Sequence, residues 1–136
     1  MAELRAGGRR PAGMERGFFY EPTVFDHVDP DSHLAQEEVF GPIVAVIGYD
    51  SDEQAVAIAN NSKYGLSGGI HSADAGAAFA MARKIRTGMV QINGGPGAPH
   101  PHMPFGGFKL SGLGREWGET GYYEFTELKS VGFRAG

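Results

Sequence analysis

Apolar residues along this chain change their spacing several times, and each change marks a structural element. Residues 1–16 hold four arginines, little apolar content and no period, which predicts a poorly ordered lead-in. Packing is expected to begin near Gly17. Phe18 to Phe25 is aromatic and β-branched, but Pro22 has no backbone donor and limits the segment to a short or edge strand. Asp29, Pro30, Asp31 and Ser32 are turn formers, so residues 26–32 read as loop. Ile43-Val44-Ala45-Val46-Ile47 is continuous, apolar and β-branched, the pattern of a strand covered on both faces. Ser51-Asp52-Glu53-Gln54 then forms a capping box with two acids in the positive first turn, predicting a helix to about Ser62.

Leu66 to His71 reads as a short strand weakened by Gly68 and Gly69. Asp74 opens a second helix, in which Ala78, Met81, Ala82 and Ile85 share one face and Arg83, Lys84 and Arg86 sit at the negative end. Met89 to Asn93 gives a third strand. Strands alternating with helices on short connections predict an α/β fold: a three-layer, mostly parallel sheet with helices on both faces. A Gly/Pro/His loop follows from Gly94 to Pro104, then a glycine-spaced stretch with a short helix near Leu113 to Tyr122. Phe125 to Phe133 has strand-forming residues without clean alternation, which suits an edge strand or one added to a partner's sheet. No internal repeat and no interdomain linker is visible.

Composition narrows the function classes. Lysine plus arginine number 12 and aspartate plus glutamate 16, a balance of −4, which excludes nucleic-acid and anionic-membrane footprints. No apolar run approaches the roughly 18 residues that span a bilayer, and the first residues lack the hydrophobic core of a signal peptide, so the sequence reads as cytoplasmic. Zero cysteines exclude a disulfide framework, a thiolate zinc site and a cysteine nucleophile within these residues. Glycine is the outlier, at 22 of 136 residues, with clusters at Gly94 to Gly97 and Gly106 to Gly121 where backbone can turn tightly or approach a ligand.

Several motifs carry little chemistry. Gly65-Leu66-Ser67-Gly68-Gly69 fits the pattern of a serine nucleophile elbow, but that turn leaves a strand and enters a helix, whereas here a helix precedes a strand. Neither dinucleotide-binding nor phosphate-loop glycine spacing occurs, since Trp117 stands where a third glycine belongs after Gly112 and Gly114. His100-Pro101-His102 places two imidazoles near each other without acidic partners at ligand spacing, so no metal site is expected. Glu37 and Glu38 precede the apolar strand either as a solvated edge or as acid–base or ribose-binding groups. Gly112-Leu113-Gly114-Arg115-Glu116 combines close backbone approach with a cation and a carboxylate, and Arg115 has Glu127 as a possible ion-pair partner.

Four ordered blocks together are recognisable: Glu21 to Phe25, Gln36 to Pro42, Ala59 to Leu66, and Pro104-Phe105-Gly106-Gly107-Phe108-Lys109 through Ser111-Gly112 to Gly114-Arg115-Glu116. Their series and spacing resemble the C-terminal third of NAD(P)-dependent aldehyde dehydrogenases, over about Gly17 to Phe133. The resemblance implies part of the aldehyde dehydrogenase fold. Residues 17–124 would be the C-terminal part of a catalytic domain and residues 125–136 an oligomerisation strand and tail.

By that resemblance Glu38 is the carboxylate that accepts from the nicotinamide-ribose hydroxyls of NAD or NADP, and Phe40 packs near the nicotinamide ring. Phe105 lines the aldehyde pocket, Glu116 is an acid–base or water-relay group, and Arg115 and Glu127 link the active-site region to the oligomerisation strand. His100 and His102 fall in the loop that borders the substrate entrance. Oxidation of an aldehyde to a carboxylic acid in this family passes through a cysteine thiohemiacetal. With no cysteine, this chain is expected to be inactive alone and to work as a homo-oligomer or with an N-terminal complement. The alternative is a non-catalytic oligomerisation or interaction module that pairs through its terminal strand.

Overall fold

The computed structural model describes residues 1–95 and 100–136 and divides into two compact units, Met1–Ser62 and Lys63–Gly136. Each β-ladder lies wholly within one of them.

In the first unit the strands β1 (Glu3–Ala6), β2 (Thr23–Asp26) and β3 (Ile43–Ala45) form a sheet in that order. Strand β2 starts directly after Pro22, as the missing proline donor requires. It pairs parallel with β3, Thr23 opposite Ile43, and antiparallel with β1, Leu4 opposite Phe25. Strand β1 corrects the disordered lead-in expected for residues 1–16. The arginines there find carboxylates: Arg5 bonds Asp26 at 3.1 Å and Arg9 bonds Glu21 at 3.1 Å, fixing the segment along β2. Thr23 is 1% exposed; its hydroxyl donates to the Glu21 carbonyl at 2.7 Å and accepts from the Gly8 amide at 2.8 Å.

The capping box predicted at Ser51 is present at the start of helix α2 (Asp52–Asn60), which follows the single-turn α1 (His33–Gln36). Ser51 Oγ accepts from the Gln54 amide at 3.2 Å, and the Gln54 side chain reaches back to the Asp50 amide. Strand β3 departs from expectation. It is short, and Val44 is 56% exposed where burial on both faces was expected. A continuous apolar run stays buried only where layers exist on both sides, and the first unit does not cover this one.

The second unit holds β4 (Tyr64–Gly65), β5 (Ser67–Ile70), α3 (Ala75–Ala82), β6 (Met89–Ile92), β7 (Phe108–Lys109) and α4 (Gly118–Tyr123). Strands β5 and β6 pair in parallel, Ser67 opposite Met89 through Ile70 opposite Ile92, with α3 as their crossover. This βαβ unit is the arrangement the alternating pattern predicts. Asp74 caps α3 by accepting from the Ala77 amide at 2.9 Å, and Ala78 on the predicted face is 1% exposed. The helix stops before Ile85 because the chain tightens into three-residue bonds from Lys84 to Met81 and from Ile85 to Ala82. Asn93 then sits at φ +51° and ties β6 back by two bonds to the Ser72 backbone, at 2.9 and 3.0 Å.

The chain is thus a mixed α/β fold with parallel strand pairs. Residues 125–136 form no strand within the chain, the arrangement left to a strand whose partner would be another sheet. A strand is defined by its partner, and these residues have none among the described residues; Leu128 is 97% and Phe133 92% exposed. Total accessible surface is 10,602 Å². Two separate compact bodies of these sizes would expose only about 8,300 Å² together. The excess is rich in large apolar side chains on both units, among them Phe18, Phe40, Leu110, Leu113 and Phe125.

Candidate functional site

In the first unit the candidate residues sit on the loop from Glu37 to Gly41, between α1 and β3. Helix α1 is begun by Ser32, whose Oγ accepts from the Ala35 amide at 3.3 Å, and its Gln36 donates to the carbonyls of Pro30 and Asn61, both at 2.7 Å. The loop therefore leaves from a pinned turn. Phe40 adopts φ +49°, a left-handed backbone that costs a phenylalanine energy, and its ring is 90% exposed. Glu38 is also exposed, and its carboxylate has no protein partner among the described residues. Both border a cleft of about 290 Å³ with Leu34, Ile43 and Ala45. Two free acceptor oxygens beside a projected aromatic ring suit a ligand that offers a diol and a flat ring.

In the second unit the loop from Phe105 to Glu116 is closed at its base. Phe105 and Glu116 exchange two backbone hydrogen bonds, each 2.7 Å. The middle of the loop is anchored by β7, which pairs with β4, Gly65 opposite Phe108. Ser111 adds the bond that the two-residue ladder lacks: its Oγ accepts from the buried Gly65 amide at 3.0 Å. Glycine is obligatory around this anchor. A Cβ on Gly65 would meet the Arg86 carbonyl at 2.7 Å, and one on Gly107 would meet Ser111 Cβ at 2.5 Å.

Arg115 lies inside this loop. Its guanidinium donates to the carbonyls of Gly114 at 2.6 Å and Gly107 at 2.9 Å, and stands 5.2 Å from the Phe108 ring centre. The pairing with Glu127 that the sequence left possible is not formed among the described residues. The guanidinium is already committed to carbonyls of its own loop, while Glu127 lies on the exposed tail. Phe105, Arg115, Glu116, Leu66 and Phe125 border a cleft of about 290 Å³. The Glu116 backbone is fixed by Phe105 while its side chain stays exposed.

His100 and His102 stack loosely, ring centres 5.4 Å apart, with the His102 amide donating to His100 Nδ1 at 3.3 Å. Their segment is held to the start of α4 by the Gly118 amide, which donates to the Pro101 carbonyl at 2.9 Å. No group of three potential metal ligands occurs among the described residues. Residues 96–99 of the predicted loop lie outside the described residues. Ser67 stands within β5 and not on a strand-to-helix turn, so the elbow geometry is absent. No described helix is long and apolar enough to cross a membrane.

Sequence reading passed over one residue that the structure brings to the site. Trp117 packs its ring on Phe105, with centres 5.1 Å apart and planes inclined by 39°. The available signal was a lone tryptophan placed directly after Arg115-Glu116 and before a glycine.

The model of the aldehyde dehydrogenase family matches residues 1–131. A curated Staphylococcus saprophyticus protein that carries an aldehyde dehydrogenase name is 47% identical over 131 residues, covering 96% of this chain and 27% of the relative. The Mycobacterium tuberculosis aldehyde dehydrogenase solved with NAD+ is 46% identical and superposes with a TM-score of 0.87 over 98% of this chain and 28% of its own. Aldehyde dehydrogenase C of Pseudomonas syringae, solved as a mutant with NAD+ and octanal, is 45% identical, with a TM-score of 0.86 over 93% and 26%. The chain thus spans about a quarter of the length of the relatives it matches. With the family model covering nearly every residue and several relatives above 40% identity, the chain belongs to the aldehyde dehydrogenase family.

Proposed function

We propose that this chain supplies the C-terminal part of an NAD(P)-dependent aldehyde dehydrogenase and oxidises no aldehyde by itself. One observation carries the reading: a family match across residues 1–131 in a chain with no cysteine. A nucleophilic thiolate must then come from outside these residues. Residues 17–124 serve as the catalytic-domain portion and 125–136 as a strand that pairs with another copy.

NAD or NADP, when bound, supplies the hydride acceptor. The residues of the Glu37–Gly41 loop fit such a group: Glu38, with two unpartnered oxygens, would hold ribose hydroxyls, and Phe40, exposed at the same cleft, would pack near the nicotinamide. Phe105, with Leu66 and Phe125 beside it, supplies the apolar part of the aldehyde pocket wall, alongside the polar groups of Arg115 and Glu116. Glu116, its backbone fixed by two bonds to Phe105, holds a carboxylate at the cleft border as an acid–base or water-relay group. His100 and His102 border the entrance and bias which aldehyde enters. The site works in a cytoplasmic homo-oligomer or with an N-terminal complement.

The test is NADH or NADPH formation from a panel of aldehydes, first with the purified chain and then with the chain fused behind the N-terminal three-quarters of a relative. Activity only in the fusion supports the reading, and turnover by the chain alone refutes it. The second reading, a non-catalytic module, is favoured by the unpaired tail, where Phe125, Leu128, Val131 and Phe133 are all at least 85% exposed. A fusion that assembles but never turns over would favour it.

A further inference from the structure

Trp117 has a backbone that a tryptophan ordinarily avoids. Its φ is +61° and its ψ is 168°, a region essentially reserved for glycine, and it stands between Glu116 and the N-terminus of α4. Such a conformation persists only where neighbouring bonds impose it. Here they do. Glu116, immediately before it, is locked by two 2.7 Å bonds to Phe105. Gly118, immediately after it, has φ +61° and donates to the Pro101 carbonyl at 2.9 Å, while the Trp117 carbonyl accepts from Gly121 at 2.9 Å. A Cβ on Gly118 would meet the His102 carbonyl at 2.8 Å and one on Gly121 would meet Glu116 C at 2.5 Å, so the surroundings leave the chain no relaxed path.

The strained backbone delivers the indole onto Phe105, 5.1 Å between centres and tilted by 39°. Phe105 borders the cleft, and the indole packs against its ring. An aromatic pair of this kind prefers a defined offset geometry, which fixes the rotamer of the inner ring. We infer that Trp117 is the positioning residue for Phe105: it sets the tilt of that ring and thereby the shape of the apolar wall. The link to aldehyde choice rests on the proposal that Phe105 walls the substrate pocket; the link between the two rings does not.

Trp117 is the only tryptophan in the chain, so its optical signal reports on this contact alone. The first measurement is near-ultraviolet circular dichroism and acrylamide quenching of the full chain, with Phe105→Leu compared against Phe18→Leu, a change at a fully exposed ring. Phe105→Leu is expected to reduce the tryptophan band and raise the quenching constant by about two-fold each, while Phe18→Leu leaves both unchanged. Equal spectra for the two variants, or a wild-type tryptophan as quenchable as in denaturant, overturn the inference.

The second measurement uses the fusion with an N-terminal complement. Trp117→Phe should retain the aldehyde KM, and Trp117→Gly should raise it several-fold with the coenzyme KM unchanged. If the optical coupling holds and Trp117→Gly leaves the aldehyde KM as it was, the positioning of Phe105 stands and the pocket assignment fails.

Discussion

Replacing Ser111 by alanine removes one hydroxyl and leaves one buried donor without a partner. Gly65 is buried, and its amide donates to Ser111 Oγ at 3.0 Å. The cost is that of an orphaned buried donor, about 1–3 kcal/mol. Strands β4 and β7 pair over only two residues, so beside the bond from the Leu110 amide to the Lys63 carbonyl at 3.0 Å the Ser111 bond is a main tie on this register.

Amide hydrogen exchange at Gly65 measures the effect directly. At about 1.4 kcal/mol per decade, protection should fall roughly 5- to 150-fold in Ser111→Ala, with faster exchange also at Phe108. Thr126→Ala, which removes an exposed hydroxyl bonded to the Tyr123 carbonyl at 3.0 Å, should leave Gly65 unchanged. Unaltered Gly65 protection in Ser111→Ala would refute the argument that the serine anchors this loop.

Other perturbations test other joints. Thr23→Val keeps the shape of a 1% exposed side chain but removes the bond to the Gly8 amide, and should cost about 0.5–1.5 kcal/mol in denaturant unfolding of the first unit. Ser51→Ala removes the cap of α2 and should cost about 1 kcal/mol, read as lost helicity by far-ultraviolet circular dichroism. The Asp26 carboxyl is held below its ordinary 3.8, chiefly by the His27 amide and then by Arg5. A lowered carboxyl stabilises the fold at pH above 3.8 and loses that contribution as pH falls through its folded value; exchange protection along β1 should drop in that acid range, and Asp26→Asn should flatten the profile. In the fusion with an N-terminal complement, Glu38→Gln should raise the coenzyme KM about ten-fold while changing the aldehyde KM little, since an amide offers one acceptor where the carboxylate offers two.

Local rules made much of this chain legible. The Ser51 capping box, the Asp74 cap, the strand start after Pro22 and the βαβ order around α3 follow from chemistry confined to a few neighbouring residues. The departures involve partners distant in sequence or outside the chain. Strand β1 was invisible because its order comes from Arg5 and Arg9 meeting Asp26 and Glu21, a pairing no local period encodes. The exposure of Val44 and Val46 has the opposite cause: the sequence is written for a covered strand, and the covering layer is missing from its unit. In the site, the glycine-spaced motif pointed to Phe105, Arg115 and Glu116, yet gave no means of choosing between Glu127 and backbone carbonyls as the partner of Arg115. Trp117 escaped notice because its role depends on a positive φ that only neighbouring closures impose.

The central claim is that this chain is built to be covered by the rest of an aldehyde dehydrogenase. Calorimetric titration of the chain with the N-terminal three-quarters of a relative, repeated across temperature, tests it most directly. The exposed excess is about 2,300 Å² beyond two compact bodies. Burying that area against an equal area of partner, mostly apolar, should give a heat-capacity change on the order of −0.8 kcal/mol/K. A saturable one-to-one association with a negative value of that size is the predicted result; no association, or a heat-capacity change near zero, would contradict the account.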